Sequence, residues 1–189
     1  MSRGSGGFWL GLAGRIDGLN RALGRLSSVL VPVMLAIGAW NVVGRYLGGL
    51  LGRNLSSNAL IEAQWQLFAV IFLLGASTTL QSDGHVRVDV LQSRWGPRRR
   101  LQVELLGTLL FLVPFCLLVL GMSWGAVSNS WSILEGSPDP DGLPRFPIKT
   151  MVLVGFGLLL LQGVSQAIRL IDRLRNGERR AAGGERRDG

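Results

Sequence analysis

Four apolar runs, each about as long as a helix must be to cross a bilayer, constrain this chain more than any other feature. They extend from about Leu26 to Leu47, Leu60 to Leu80, Leu101 to Val127 and Ile148 to Ile171. At 1.5 Å per residue, about 20 helical residues cover the roughly 30 Å of hydrocarbon. Of the 189 residues 48% are hydrophobic, and the mean hydropathy of +0.34 is one that soluble domains of this size seldom reach. The expected fold is all-α and integral to the membrane, with four transmembrane helices within residues 26–172. Residues 1–25 are then a basic, Gly-rich cytoplasmic segment, and residues 173–189 a basic cytoplasmic tail whose composition marks it as disordered. A signal peptide is the weaker account of the first run, which is too long for such a segment and has no clean small-residue cleavage site after it.

The formal charge of +8 and pI of about 11.4 would suggest nucleic-acid binding in a soluble protein. Here no folded module interleaves basic and aromatic residues, and flanking arginines that meet anionic phospholipids explain the excess without nucleic acid. Their distribution sets orientation. Sixteen basic residues fall in the N-terminal segment, the connection between runs two and three, and the C-terminus; four (Arg45, Arg53, Arg145 and Lys149) fall on the opposite side. The excess is retained in the cytoplasm, so both termini are expected there.

With one cysteine, Cys116 inside an apolar run, no intramolecular disulfide is possible. The single histidine, His85, argues against a bis-histidine haem, a His-rich zinc site and a Ser/His/Asp triad. No catalytic residue, metal site or cofactor is expected. In the third run Pro114 removes a backbone hydrogen bond and should bend the helix. Gly155, Gly157 and Gly163 in the fourth run either permit close helix contact or reflect the ordinary abundance of glycine in membrane helices.

Polar side chains inside spans are expensive and mark functional candidates. Asn41 and Arg45 lie in the outer half of run one, and Glu62, Gln64 and Gln66 open run two. A short loop joins these runs, so Arg45 and Glu62 sit at one membrane level and either pair or reach the headgroups separately. The mid-sections of the spans hold no proton relay or ion site; Gln162, Ser165 and Gln166 come late in run four. Between runs three and four, SWSILEGSPDPDGLPRFPIK carries four prolines with Glu135, Asp139, Asp141 and Gly142. The segment is either a turn between helices or a stiff acidic docking surface whose proline content lowers the entropy lost on binding.

The connection LQSDGHVRVDVLQSRWGPRRR alternates Val86, Val88 and Val90 with polar residues as an edge strand would. A lone strand against lipid would leave its backbone unpaired. A short cytoplasmic interfacial helix over Val86–Trp95, after a break at Gly84, is expected instead. Val88, Leu91 and Trp95 share its buried face, Arg87 and Arg94 reach phosphates, and Val86 and Val90 face the bundle or a partner. Asp83, His85 and Asp89 lack further soft ligands and have arginine among them, so polar contacts that fix the turn are preferred to a metal site.

The stretch EAQWQLFAVIFLLGASTTLQSDGHVRVDVL, Glu62 to Leu91, resembles the signature of the small, DctQ-type membrane subunit of TRAP transporters, which are tripartite importers that depend on a binding protein. The matching features are an acidic residue opening the second span, Trp65 soon after it, a Gly-Ala near its inner end, and then Gly84, His85, Val86, Arg87, Val88 and Asp89. Gly44 to Tyr46 fits the end of the family's first span, so the resemblance covers about Leu26 to Ile171. Trp131 to Lys149 is further similar to the branch associated with mannitol, chloroaromatic compounds or 2-oxoacids. The resemblance implies an inner-membrane accessory subunit without enzymatic activity, in a sodium-driven importer of organic acids. Its partners would be a large membrane subunit, which carries the sodium and substrate sites, and a periplasmic substrate-binding protein.

On this resemblance Arg45, Glu62, Trp65, Gly84, His85, Arg87 and Asp89 are interface or structural residues. Glu135, Asp139, Pro140, Asp141, Pro144 and Lys149 are expected to dock the binding protein. Two alternatives remain. A membrane anchor of a respiratory oxidoreductase would need axial histidines or a quinone site, and a self-contained four-span transporter would need polar groups at mid-depth.

Overall fold

Each apolar run forms a helix because within hydrocarbon the backbone can satisfy its N–H and C=O groups only internally. The computed structural model describes residues 3–53, 55–82 and 96–184, with side chains described over residues 7–176 of these. The helices are α1 (Arg3–Leu51), α2 (Asn58–Gln81), α3 (Pro97–Ser132) and α4 (Phe146–Gly184), and all four are long and apolar enough to span a membrane. No strand occurs among the described residues. The fold is thus all-α and membrane-spanning, as the hydropathy pattern requires. The helix expected over Val86–Trp95, together with Asp83, Gly84, His85, Arg87 and Asp89, lies outside the described residues.

The helices exceed the apolar runs. The 24 residues of α2 measure about 36 Å, close to one bilayer, whereas the 49 residues of α1 measure about 73 Å and the 39 of α4 about 58 Å. The segment before residue 26 therefore continues the first helix back to Arg3, and α4 continues to Gly184, through most of the stretch whose composition suggests disorder.

Local chemistry ends the helices. After α1 the chain reverses at Gly52, whose φ of +65° glycine adopts without a Cβ penalty, and the Arg53 N–H returns to the Gly48 carbonyl at 3.0 Å. A Cβ on Gly44 would lie 2.8 Å from the Leu55 carbonyl oxygen, so the reversal is close-packed and makes α1 and α2 neighbours. Ser57 caps α2 by accepting from the Leu60 N–H at 3.3 Å. In α3 the irregularity at Pro114 takes the form of a π-helical turn over Thr108–Leu112. The proline has no N–H and its ring crowds the carbonyl of Leu110, so the ladder slips by a residue and the Val113 N–H bonds to Thr108.

Helix α4 is the centre of the bundle. It packs on α1, α2 and α3, and α1 packs on α2, but α3 has no broad contact with either α1 or α2. A third (33%) of the apolar window of α4 is buried, against 11% in each other helix. Close approach uses small residues: a Cβ on Gly155 would lie 2.7 Å from the Cβ of Leu73 in α2, and one on Gly163 would lie 2.8 Å from Leu112 in α3. Gly157 meets nothing and takes no part. The most enclosed side chains are Asn20, Ser77, Ser130 and Ser165 with Cys116, while Phe68, Phe72, Phe111, Phe115, Met122 and Trp124 point outward. Small and polar inside, large and apolar outside, is the packing expected when lipid is the solvent.

Candidate docking surface

Four spans put the α3–α4 loop on the side opposite both termini, and there it folds back over the start of α2. Helix α3 ends with Leu134 in the left-handed region at φ 46°, while the Glu135 N–H bonds to the Ser130 carbonyl at 3.0 Å. The Arg145 N–H donates to the Glu135 carbonyl at 2.8 Å, which closes the neck of the loop. Within it the Asp139 N–H bonds to Ser137 Oγ at 3.1 Å, and the Gly142 N–H to the Asp139 carbonyl at 3.2 Å. Asp141 takes φ 57°, a conformation aspartate tolerates better than most residues. Prolines at 138, 140 and 144 fill positions where no N–H is needed, so the loop is stiff by construction.

Glu62 holds this loop down. Its carboxylate, in a residue only 3% exposed, accepts from the Ser137 hydroxyl and the Leu143 N–H, and Arg145 approaches to 4.0 Å. Gly142 stands so near that a Cβ would lie 2.7 Å from the same carboxylate. Two amides add to the attachment: Asn58 donates to the Pro140 carbonyl at 3.1 Å and Gln66 to the Pro144 carbonyl at 3.3 Å. A second carboxylate braces the neck, because Glu135 accepts from Lys149 and from the Ser130 hydroxyl at 2.7 Å. The Lys149 hydrogen bond first, then that of Ser130, hold the Glu135 carboxyl below its ordinary value and outweigh the opposing effect of burial. Trp131 donates to Thr150 at 2.7 Å and meets Phe146 edge-on, which ties α3 to α4 just beneath the loop.

The ion-pair partner of Glu62 is thus Arg145, and the pairing with Arg45 is corrected. Loop closure brings residues 83 positions apart together, whereas Arg45 points outward and lines a small cleft with Ser57, Asn58, Pro140 and Asp141. Trp65 lines a groove beside Arg145 and Lys149. Of the residues considered for docking, Asp139, Pro140, Asp141 and Pro144 are exposed on the loop, while Glu135 and Lys149 are half-buried beneath it. No group of His, Cys, Asp or Glu suited to a metal occurs among the described residues, and the Asp83, His85 and Asp89 set falls outside them.

The opposite side holds a polar clasp that sequence reading missed. Asp17 of α1 pairs with Arg169 of α4 and accepts from Ser165 at 2.8 Å and Gln162 at 3.2 Å; Asn20 donates to Gln162 in turn. The backbone of α1 here accepts from Gln81 and Thr78 of α2, each at 3.0 Å. One signal was available: Gln162, Ser165, Gln166 and Arg169 recur at helical spacing along α4.

Residues 34–173 match the family model described as Tripartite ATP-independent periplasmic transporters, DctQ component. Searches of curated proteins and of solved structures return no match.

Proposed function

The chain belongs to the DctQ component family of tripartite ATP-independent periplasmic transporters, and we propose that it is the accessory scaffold of a sodium-driven importer of organic acids. The family is the small membrane component of an assembly with a large membrane subunit and a binding protein, and the spans here suit that membrane role. The observation that carries the proposal is the stiff loop fixed on Glu62, with Asp139, Pro140, Asp141 and Pro144 on its free surface. A preordered acidic surface loses little entropy on association, which suits the docking of the periplasmic protein. The large outward apolar faces of α2 and α3 are available to the large subunit and to lipid. The basic excess on the side of the termini supports a cytoplasmic location for both and contact with anionic phospholipids. Sparse polar groups at mid-depth agree with transport chemistry residing in the large subunit. The family match does not favour a respiratory membrane anchor.

The test is co-purification followed by transport. A tagged copy should carry the large polytopic subunit out of detergent. Proteoliposomes holding both, with the binding protein added, should take up a labelled carboxylate only in a sodium gradient. Asp139→Ala with Asp141→Ala should weaken uptake at low binding-protein concentration and leave co-purification intact. A tagged chain that emerges alone, or uptake indifferent to the loop, would reject the role.

A further inference from the structure

Helix α1 carries two stripes of seven-residue period, and the bundle covers only one of them. The inner stripe consists of Ala13, Asn20, Ser27, Asn41 and Gly48, all buried, with the half-buried Met34 completing the series. Positions seven apart therefore keep to one face along the whole helix, as they do when a helix coils about its neighbours at about 3.5 residues per turn. The outer stripe lies on nearly the opposite side: Leu12, Leu19, Leu26, Val33, Trp40 and Leu47, each between 37% and 55% exposed. Three or four residues from these stand Phe8, Ala22, Val29, Ala36 and Val43, also exposed, and Arg15 is the one polar member of that row. The two rows together make a coiled-coil seam that meets no helix of this chain, and the alanines leave room for a backbone to approach closely.

Lipid alone does not account for the seam. Leu12 and Leu47 stand 35 positions apart, about 52 Å of helix. Even at a steep tilt of about 40° that length projects about 40 Å along the bilayer normal, against about 30 Å of hydrocarbon. The part left outside is N-terminal, where Arg15, Arg21 and Arg25 interrupt α1. Between Gly11 and Arg25 the large apolar side chains left exposed are Leu12 and Leu19, and both belong to the seam. An apolar row kept in register where the remaining open surface is glycine and arginine marks contact with protein. The heptads before residue 34 also precede the matched family segment, which leaves them unaccounted for.

We propose that a long helix of the large membrane subunit lies along this seam, runs past the bilayer on the side of the termini, and sets an acidic residue against Arg15. The inference rests on the scaffold role proposed above. Arg15 decides the occupant: it is exposed and makes no ion pair among the described residues. A second copy of this chain has the same orientation in the membrane, so its α1 would run parallel and bring Arg15 against Arg15. Like charges at the centre of a seam oppose pairing, whereas a different helix can place a carboxylate there.

Photo-crosslinking in membranes that contain both membrane subunits tests this. Benzoylphenylalanine in place of Leu12, Leu19 or Leu26 should give adducts with the large subunit severalfold above the same probe in place of Gly14 or Arg21, which lie on another face of α1. Arg15→Glu should lower the adduct from position 19 about fivefold, and Arg15→Lys should preserve it. Adducts between two copies of this chain, adducts with lipid alone, or equal adducts from both faces overturn the assignment, as does indifference to Arg15→Glu. Co-purification without the probe reads the scaffold role separately. A pair that leaves detergent together while the seam gives no adduct overturns the seam alone, and a chain that leaves without the large subunit overturns both.

Discussion

Replacing Asp17 by alanine should release the first turns of α1 from α4. The carboxylate, 8% exposed, accepts from Ser165 and Gln162 and pairs with Arg169, so the substitution removes three interhelical hydrogen bonds at once. At about 0.6 kcal/mol per bond, near the low end of the net range for hydrogen bonds in folded proteins, the loss is about 2 kcal/mol. Breaking a fully buried ion pair costs about 3–5 kcal/mol, but Arg169 is 45% exposed and turns to solvent once freed, which favours the lower figure. A change of about 2 kcal/mol in local opening corresponds to about 30-fold faster amide exchange. Hydrogen exchange of the full chain should show that acceleration over α1 before Ser27, while amides near Leu74 in α2 keep their protection. A double-mutant cycle with Arg169→Ala should return a coupling above about 0.5 kcal/mol. Unchanged exchange before Ser27, or a coupling near zero, would refute the claim that this clasp holds the helix.

Three further outcomes follow from the same contacts. Glu62→Ala should free the α3–α4 loop, raise protease cleavage between Ser137 and Leu143 severalfold in reconstituted vesicles, and reduce binding-protein-dependent uptake; unchanged cleavage would contradict its anchoring role. Gly155→Ala forces a methyl against Leu73 and should destabilise the chain by about 1–3 kcal/mol, whereas Gly157→Ala should be close to silent in thermal unfolding. Because the Glu135 carboxyl is held below its ordinary value in the folded loop, its contribution is complete above the unfolded value of about 4.3 and disappears as pH falls through the lower folded value. Protease resistance of the loop should therefore be flat from neutral pH to about 5 and decline only in stronger acid, and Glu135→Gln should remove part of that decline.

Hydropathy located α2 well, from about Leu60 to Leu80 against Asn58–Gln81, because that helix is hardly longer than its apolar run. It located α1 poorly, since periodicity over a 20-residue window reports the apolar section and not the part of a helix that continues into water. Residues 3–25 are rich in glycine, which disfavours an isolated helix by about 1 kcal/mol per residue relative to alanine. They are helical beside α4, where Ala13, Asp17 and Asn20 are buried. The π-turn had a visible cause in Pro114, and the α3–α4 loop was legible in its prolines and acids. The partner of Glu62 was not, because adjacency in sequence suggested Arg45 while loop closure supplies Arg145.

The amino-acid sequence by itself determined the membrane class, the number of spans and the family, since apolar length and short motifs are local properties. Tertiary structure alone decided that α4 is the centre, that Glu62 anchors the loop, and that Asp17 meets Arg169 across 152 positions. Those pairings depend on which helix faces touch, and in a membrane that is settled by small residues and hydrogen bonds between helices, because hydrophobicity there is shared by the solvent.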